Sequence, residues 1–171
     1  MIKTRTATHE DAAEIVRLRR LMFSAMNGDD ARGDWERTAE EQVRRQLAAR
    51  PCRLGAFVVD GDPQPGGPPH LAACAVGRVE ERMAAPGHPE GRFGFVFTVS
   101  TDERYRGRGL ARATTEALLD WFAGQGVTRV DLHATPDAER LYRSLGFAEH
   151  SLALSLDVSA RAGRAARAAR A

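Results

Sequence analysis

Phe93-Gly94-Phe95-Val96-Phe97-Thr98-Val99-Ser100 runs through Thr101-Asp102-Glu103-Arg104-Tyr105 into Arg106-Gly107-Arg108-Gly109-Leu110-Ala111. Aromatic and β-branched residues fill the first eight positions, the composition of a buried strand. From Leu110 onward the apolar positions Thr114, Ala117, Leu118, Trp121 and Phe122 recur at helical spacing. Between them lies a glycine-rich turn. Glycines let the backbone come close to a ligand, and a helix that opens directly after them offers unpaired N–H groups and the positive end of its dipole. Strand, turn and helix together predict a phosphate cradle. The competing reading, an Arg-Gly contact to nucleic acid of the disordered kind, conflicts with the hydrophobic elements on both sides of the turn.

The turn resembles the acetyl-CoA-binding signature of the GNAT superfamily of N-acetyltransferases, Gln/Arg-x-x-Gly-x-Gly/Ala. Arg106-x-x-Gly109-x-Ala111 fits it, and Arg104-x-x-Gly107-x-Gly109 fits it two residues earlier. The later register is preferred because its small last residue then lies inside the helix. A second signature follows. In Thr135-Pro136-Asp137-Ala138-Glu139-Arg140-Leu141-Tyr142-Arg143-Ser144-Leu145-Gly146-Phe147, Ala138, Tyr142 and Gly146-Phe147 match the family's Asn-x-x-Ala-x-x-x-Tyr leading into Gly-Phe. Thr135 stands where the family often has asparagine.

This resemblance implies an α/β fold: a single GNAT-type domain with a mixed, mostly antiparallel sheet of six to seven strands and helices on both faces. It also implies a cleft where the fourth and fifth strands diverge. Acetyl-CoA is the implied cosubstrate, with no metal. Main-chain groups of Val99 and Thr101 are then expected to hold the acetyl carbonyl and the pantetheine arm. The amides of Arg106, Gly107, Arg108, Gly109, Leu110 and Ala111 take the pyrophosphate, Arg108 or Arg112 the 3′-phosphate, and Thr135 a place beside the pantetheine. Tyr142 becomes the general acid, since a positioned O–H can protonate a departing thiolate; the alternative is a tyrosine packed into the core.

The base is open at this stage. The acceptor amine must lose a proton before it attacks, yet residues 93–99 hold no acid, unlike some family members. Asp131 and His133 share one face of a strand expected to be apolar on both sides, which marks them as candidates beside a structural reading of the histidine. Glu80, Glu81 and a water chain come after. Asp29, Asp30 and Asp34 with Trp35 form an acidic loop between the first two helices, where the family walls its acceptor site, and are expected to suit a small cationic amine. A solvated loop is the plain alternative.

Composition limits the remaining readings. The net charge of +2 hides a division, because residues 158–171 carry Arg161, Arg164, Arg167 and Arg170 and no acid. Without those four, 21 basic residues face 23 acidic ones, which argues against a nucleic-acid-binding body. Residues 1–158 are therefore read as the catalytic domain and 159–171 as a basic Ala/Arg tail. The chain contains no apolar run of membrane-spanning length and no apolar leader after Met1. Cys52 and Cys74 lack metal or disulfide spacing and read as reduced thiols of a cytoplasmic protein.

The rest of the chain reads as a strand over 2–7, helices from Ala12 to about Met26 and over 35–50, and strands over 56–60 and 70–80 joined by a Pro/Gly-rich loop. A strand over 127–134, a helix over 135–144 and one or two strands over 147–158 complete it. The expected function is acetyl transfer from acetyl-CoA to the primary amine of a small molecule by direct attack in a ternary complex, with a homodimer admitted. Peptide or lysine acetylation and a non-catalytic acyl-CoA-binding module are the alternatives.

Overall fold

Alternate side chains of each strand point to opposite faces, and here both faces are apolar. β2 (Leu54–Asp60), β3 (Leu71–Glu81) and β4 (Arg92–Thr101) are antiparallel neighbours in that order. The two-residue β1 (Arg5–Thr6) flanks β2, and β5 (Arg129–Leu132) pairs in parallel with β4. The coordinates are a computed structural model that describes residues 2–63, 70–159 and 161. On one face, Ala56, Val58, Cys74 and Val76 meet Ile15 and Leu18 of α1 (Ala12–Asn27) and Leu47 of α2 (Trp35–Ala48). On the other, Phe57, Ala75, Val96, Val130 and Leu132 meet Leu118 and Phe122 of α3 (Leu110–Gly124). Side chains such as Phe122, 1% exposed, contribute roughly 1.5–3 kcal/mol each by leaving water. A Cβ at Gly94 would lie 2.9 Å from the Phe122 ring, so only glycine lets α3 sit this close to the sheet.

β4 carries one residue too many for its partner. Val76 pairs with Thr98, but the next position, Gly77, pairs with Val96, which leaves Phe97 as a bulge. Phe97 then packs into the α1–α2 core while Thr98 bonds Arg19 of α1, so two successive side chains serve one face. Pairing with β5 covers only Phe93–Val96 against Arg129–Leu132. Beyond that the two strands part, and α4 (Pro136–Ser144) follows β5.

The order of elements matches expectation from the first helix to the fourth, with ends displaced by a few residues: β2 begins earlier, at Leu54, and β5 is shorter, Arg129–Leu132. The first strand keeps two residues, and the second helix stops at Ala48. The sheet has five strands rather than six or seven, because no strand is formed over 147–158 among the described residues. The alternation of Leu152, Leu154 and Leu156 fixes which side a strand would present, but a strand also needs a ladder partner, and these leucines remain exposed. Residues 64–69 of the Pro/Gly-rich loop, and Arg164, Arg167 and Arg170 of the tail, lie outside the described residues. No helix among the described residues is long and apolar enough to cross a membrane.

Candidate active site

The fork between β4 and β5 opens a cavity of about 980 Å³. Four elements close around it. β4 contributes the stretch from Phe95 to Thr101, the turn and first residues of α3 contribute Arg106 to Arg112 apart from Arg108, and the last turns of α1 and the length of α4 form the remaining walls.

The turn between β4 and α3 is anchored from behind. Asp102 directly follows β4, is 6% exposed, and accepts from Arg17 Nη1 at 2.8 Å, Arg104 Nε at 3.3 Å and the Arg104 amide at 3.2 Å. Burial alone would raise its pKa, but the bonds to Arg104 and Arg17 outweigh that and hold it below the usual carboxylate range. Arg17 also donates to Leu71 O and to Glu14, whose carboxylate accepts from the Leu71 amide. One network therefore ties α1, β3 and the start of the turn together. Gly107 and Gly109 then take the left-handed conformation, φ 74° and 78°, open to glycine at little cost. Gly109 is the N-cap of α3 and brings no side-chain cap, so the helix opens in the cavity wall with uncapped N–H groups and no acid in its first turn. Arg106 and Arg112 stand beside them in the cavity wall.

The opposite wall carries Tyr142 and His133. Tyr142 of α4 is 8% exposed, lines the cavity and packs edge-on against Phe147 at 5.8 Å. Its hydroxyl bonds no other described residue, and burial pushes its pKa up, so it is held protonated. His133 follows β5, lines the cavity and stands edge-on to Phe95 at 5.5 Å between ring centroids.

Of the residues singled out from sequence, Val99, Thr101, Arg106, Gly107, Gly109, Leu110, Ala111, Arg112, Thr135, His133 and Tyr142 are brought together around this one cavity. Arg108 is outside the lining, its guanidinium 5.2 Å from the Tyr105 ring centroid. Asp131 is outside this lining but in the wall of an adjoining cavity of about 610 Å³ that shares Phe95, His133 and Tyr142, and it is paired with Arg129 at 3.3 Å and Arg82 at 3.6 Å. Its polarity has a structural reason: the carboxylate is partly exposed and meets an arginine at each oxygen. Glu80 is held by Arg78 and Arg82, chiefly the latter, which lowers its pKa, and Glu81 by Arg53. Neither lines the cavity. Asp29, Asp30 and Trp35 do not line it either. Asp30 pairs with Arg32 at 2.9 Å in the open, and Trp35 acts from behind, edge-on to the wall residue Phe23 at 5.7 Å with its Nε1 donating to Ala31 O.

Two features escaped the sequence reading. One is the wall formed by Leu21, Met22, Phe23, Ala25 and Met26, at the end of a helix whose pattern marks only its apolar side. The signal was the breadth of its apolar arc, wider than one buried stripe requires. The other is Arg19, which donates to Phe97 O at 3.1 Å and to Thr98 Oγ1, clamping the bulge from α1. Its place among Arg17 and Arg20, three arginines between Ile15 and Leu21, gave no sign of which one turns inward.

The family model described as the acetyltransferase (GNAT) family matches residues 15–147. The chain belongs to the GNAT acetyltransferase family. It is an acyl-CoA-dependent N-acetyltransferase by that membership, and acetyl-CoA is its cosubstrate. Among solved structures, a predicted acetyltransferase from Clostridium acetobutylicum with acetyl-CoA is 18% identical at a TM-score of 0.77, covering 92% of this chain and 97% of that one. A GCN5-related N-acetyltransferase from Ralstonia eutropha is 21% identical at 0.71, covering 93% and 100%. Glucosamine-6-phosphate N-acetyltransferase from Arabidopsis thaliana is 17% identical at 0.69, covering 92% and 98%. At these identities the likeness is one of fold. No curated protein matches the chain by sequence.

The GNAT cavity fits its cosubstrate on chemical grounds. The uncapped start of α3 suits a pyrophosphate. Thr101 Oγ1 is buried in the wall without a partner among the described residues, as a hydroxyl awaiting an amide of a bound arm would be.

Proposed function

We propose that this chain acetylates the primary amine of a small molecule by direct attack in a ternary complex. The observation that carries the reading is the meeting, in one cavity, of an uncapped helix N-terminus and a buried tyrosine. Acetyl-CoA supplies a thioester whose acyl carbon is attacked by the amine and whose sulfur departs as a thiolate. In this reading the amides from Arg106 to Ala111 hold the pyrophosphate, Arg112 and the nearby Arg108 offer charge to the 3′-phosphate, and Thr135 contacts the pantetheine. The main chain at Val99 orients the acyl oxygen, with Thr101 alongside. Tyr142 gives its proton to the departing sulfur, and His133 takes one from the amine.

Covalent transfer through a cysteine is poorly supported. Cys74 is fully buried, and that burial pushes its thiol up to about 12. Cys52 donates to Leu54 O, and neither cysteine lines the cavity. Free thiols also suit a cytoplasmic setting, with residues 1–158 as the catalytic domain and 159–171 as a basic appendage. Calorimetric titration with acetyl-CoA, CoA and ATP tests the first step: both CoA forms bind and ATP does not. Absence of CoA binding would remove the reading, and binding without thiol release across a broad amine panel would leave an acyl-CoA-binding module.

A further inference from the structure

We propose that the acceptor end of this cavity selects a primary amine borne on an apolar body, an alkyl or arylalkyl amine, over amines carrying a second charge. The inference rests on the reading of this cavity as an acetyl-transfer site. Away from the phosphate turn, its surface is made by Met22, Phe23 and Met26 of α1 and by Phe95 and Phe97 of β4. Asp137, at the start of α4, is the one carboxylate in the lining among the described residues. The other acids around it are taken up by arginines: Asp30 by Arg32, Glu36 by Arg20, and, in the adjoining cavity, Asp131 by Arg82 and Arg129 and Glu139 and Glu149 by Arg143.

The wall is also firm where firmness aids a flat or extended body. Phe23 is held edge-on by Trp35 and capped by the Arg19 guanidinium 4.7 Å from its centroid. Met26, 55% exposed, gives the mouth a pliable apolar lip. Such surroundings serve the chemistry twice. They disfavour the charged form of a bound ammonium, so the nucleophilic neutral amine forms more readily. They also leave a second ammonium desolvated and without a partner, which penalises diamines and aminosugars.

Affinity for the full chain saturated with free CoA, where no acyl transfer can occur, is measured by calorimetry for n-propylamine through n-hexylamine and for 1,6-diaminohexane. Affinity rises roughly fourfold per added methylene, and hexylamine binds at least about tenfold better than the diamine. Met26→Glu narrows or inverts that last ratio. A flat series, or a diamine that binds as well as hexylamine, overturns the inference, as does tighter binding of long-chain acyl-CoA together with a flat amine series. Thiol release from acetyl-CoA is followed in parallel. A rising affinity series without thiol release upholds the apolar acceptor pocket and removes acetyl transfer; thiol release with polar amines only does the reverse.

Discussion

The two ends of the cavity are built from different materials. The cofactor end is almost all backbone from one continuous stretch: β4, two left-handed glycines and the first turn of α3. The acceptor end is all side chain, gathered from α1, β4 and the residues after β5. Main-chain donors at a helix start recognise any phosphate, so that end can stay fixed while the chemistry around it changes. Side chains projecting from separate elements can be exchanged one at a time, so the acceptor end sets which amine is taken. Damage at the two ends should therefore read out differently, in cosubstrate binding at one and in turnover or amine choice at the other.

The largest effect is expected where both ends meet. Tyr142→Phe keeps the ring and its packing on Phe147 but removes the proton, and kcat should fall by about 10²–10⁴ with little change in acetyl-CoA affinity; stopped-flow or steady-state thiol release measures it. Gly109→Glu comes next. It forces a side chain into a left-handed position and sets a carboxylate against phosphate, a repulsion of about 4 kcal/mol near a protein surface, or on the order of 10³ in acetyl-CoA affinity. Calorimetry should show that loss while circular dichroism still reports a folded chain. If Gly109→Glu instead left binding intact and lowered only turnover, the division between the two ends would fail.

The same contrast explains what could be read without coordinates. The strand–turn–helix from Phe93 to Phe122 announces itself because its meaning is local: glycine positions, helical spacing and the apolar strand lie within one window. Tyr142 was legible for the same reason, as a residue at fixed distance from Gly146-Phe147. The acceptor wall was not, because Met22 and Phe95 come to line one cavity only through the packing of α1 on the bulged β4, and no spacing encodes that. The acidic loop misled by composition alone; Asp29 and Asp30 sit close in sequence to the wall yet turn into solvent. Asp131 misled through the expectation that its strand is apolar on both faces; its carboxylate is partly exposed between two arginines. The leucines of 152–158 carry a strand's alternation but not its partner.

A smaller, global effect tests the anchor behind the turn. Asp102→Ala leaves Arg17 half-buried and short of one partner, at a cost of about 3 kcal/mol, measured as a shift in the denaturant midpoint. The same pair sets an acid limit. Asp102 and Asp11 both have pKa values lowered in the folded state, their bonds to Arg104 and Arg17, and to Arg5, outweighing burial. Their contribution is thus complete above the ordinary carboxylate pKa near 3.9 and is lost as pH falls through the lower folded values. The wild type should lose stability below about pH 4, and Asp102→Ala should flatten that loss.

The least disruptive change probes whether the bulge matters for rate. Arg19 donates to the carbonyl of the bulged Phe97 and to Thr98, beside the main chain expected to orient the acyl group. Burial lowers its pKa, yet an arginine stays charged across any working range. Arg19→Lys retains a charge but gives up the planar fork and its stacking on Phe23 and Phe97. The bulge would then loosen by a fraction of an ångström, and since a 1 Å error in placement can cost about 10² in rate, a loss in kcat of about tenfold is expected, with acetyl-CoA affinity held. A loss of affinity instead would mean that α1 supports the phosphate turn rather than the reacting centre, and would move Arg19 from the acceptor end of the comparison to the cofactor end.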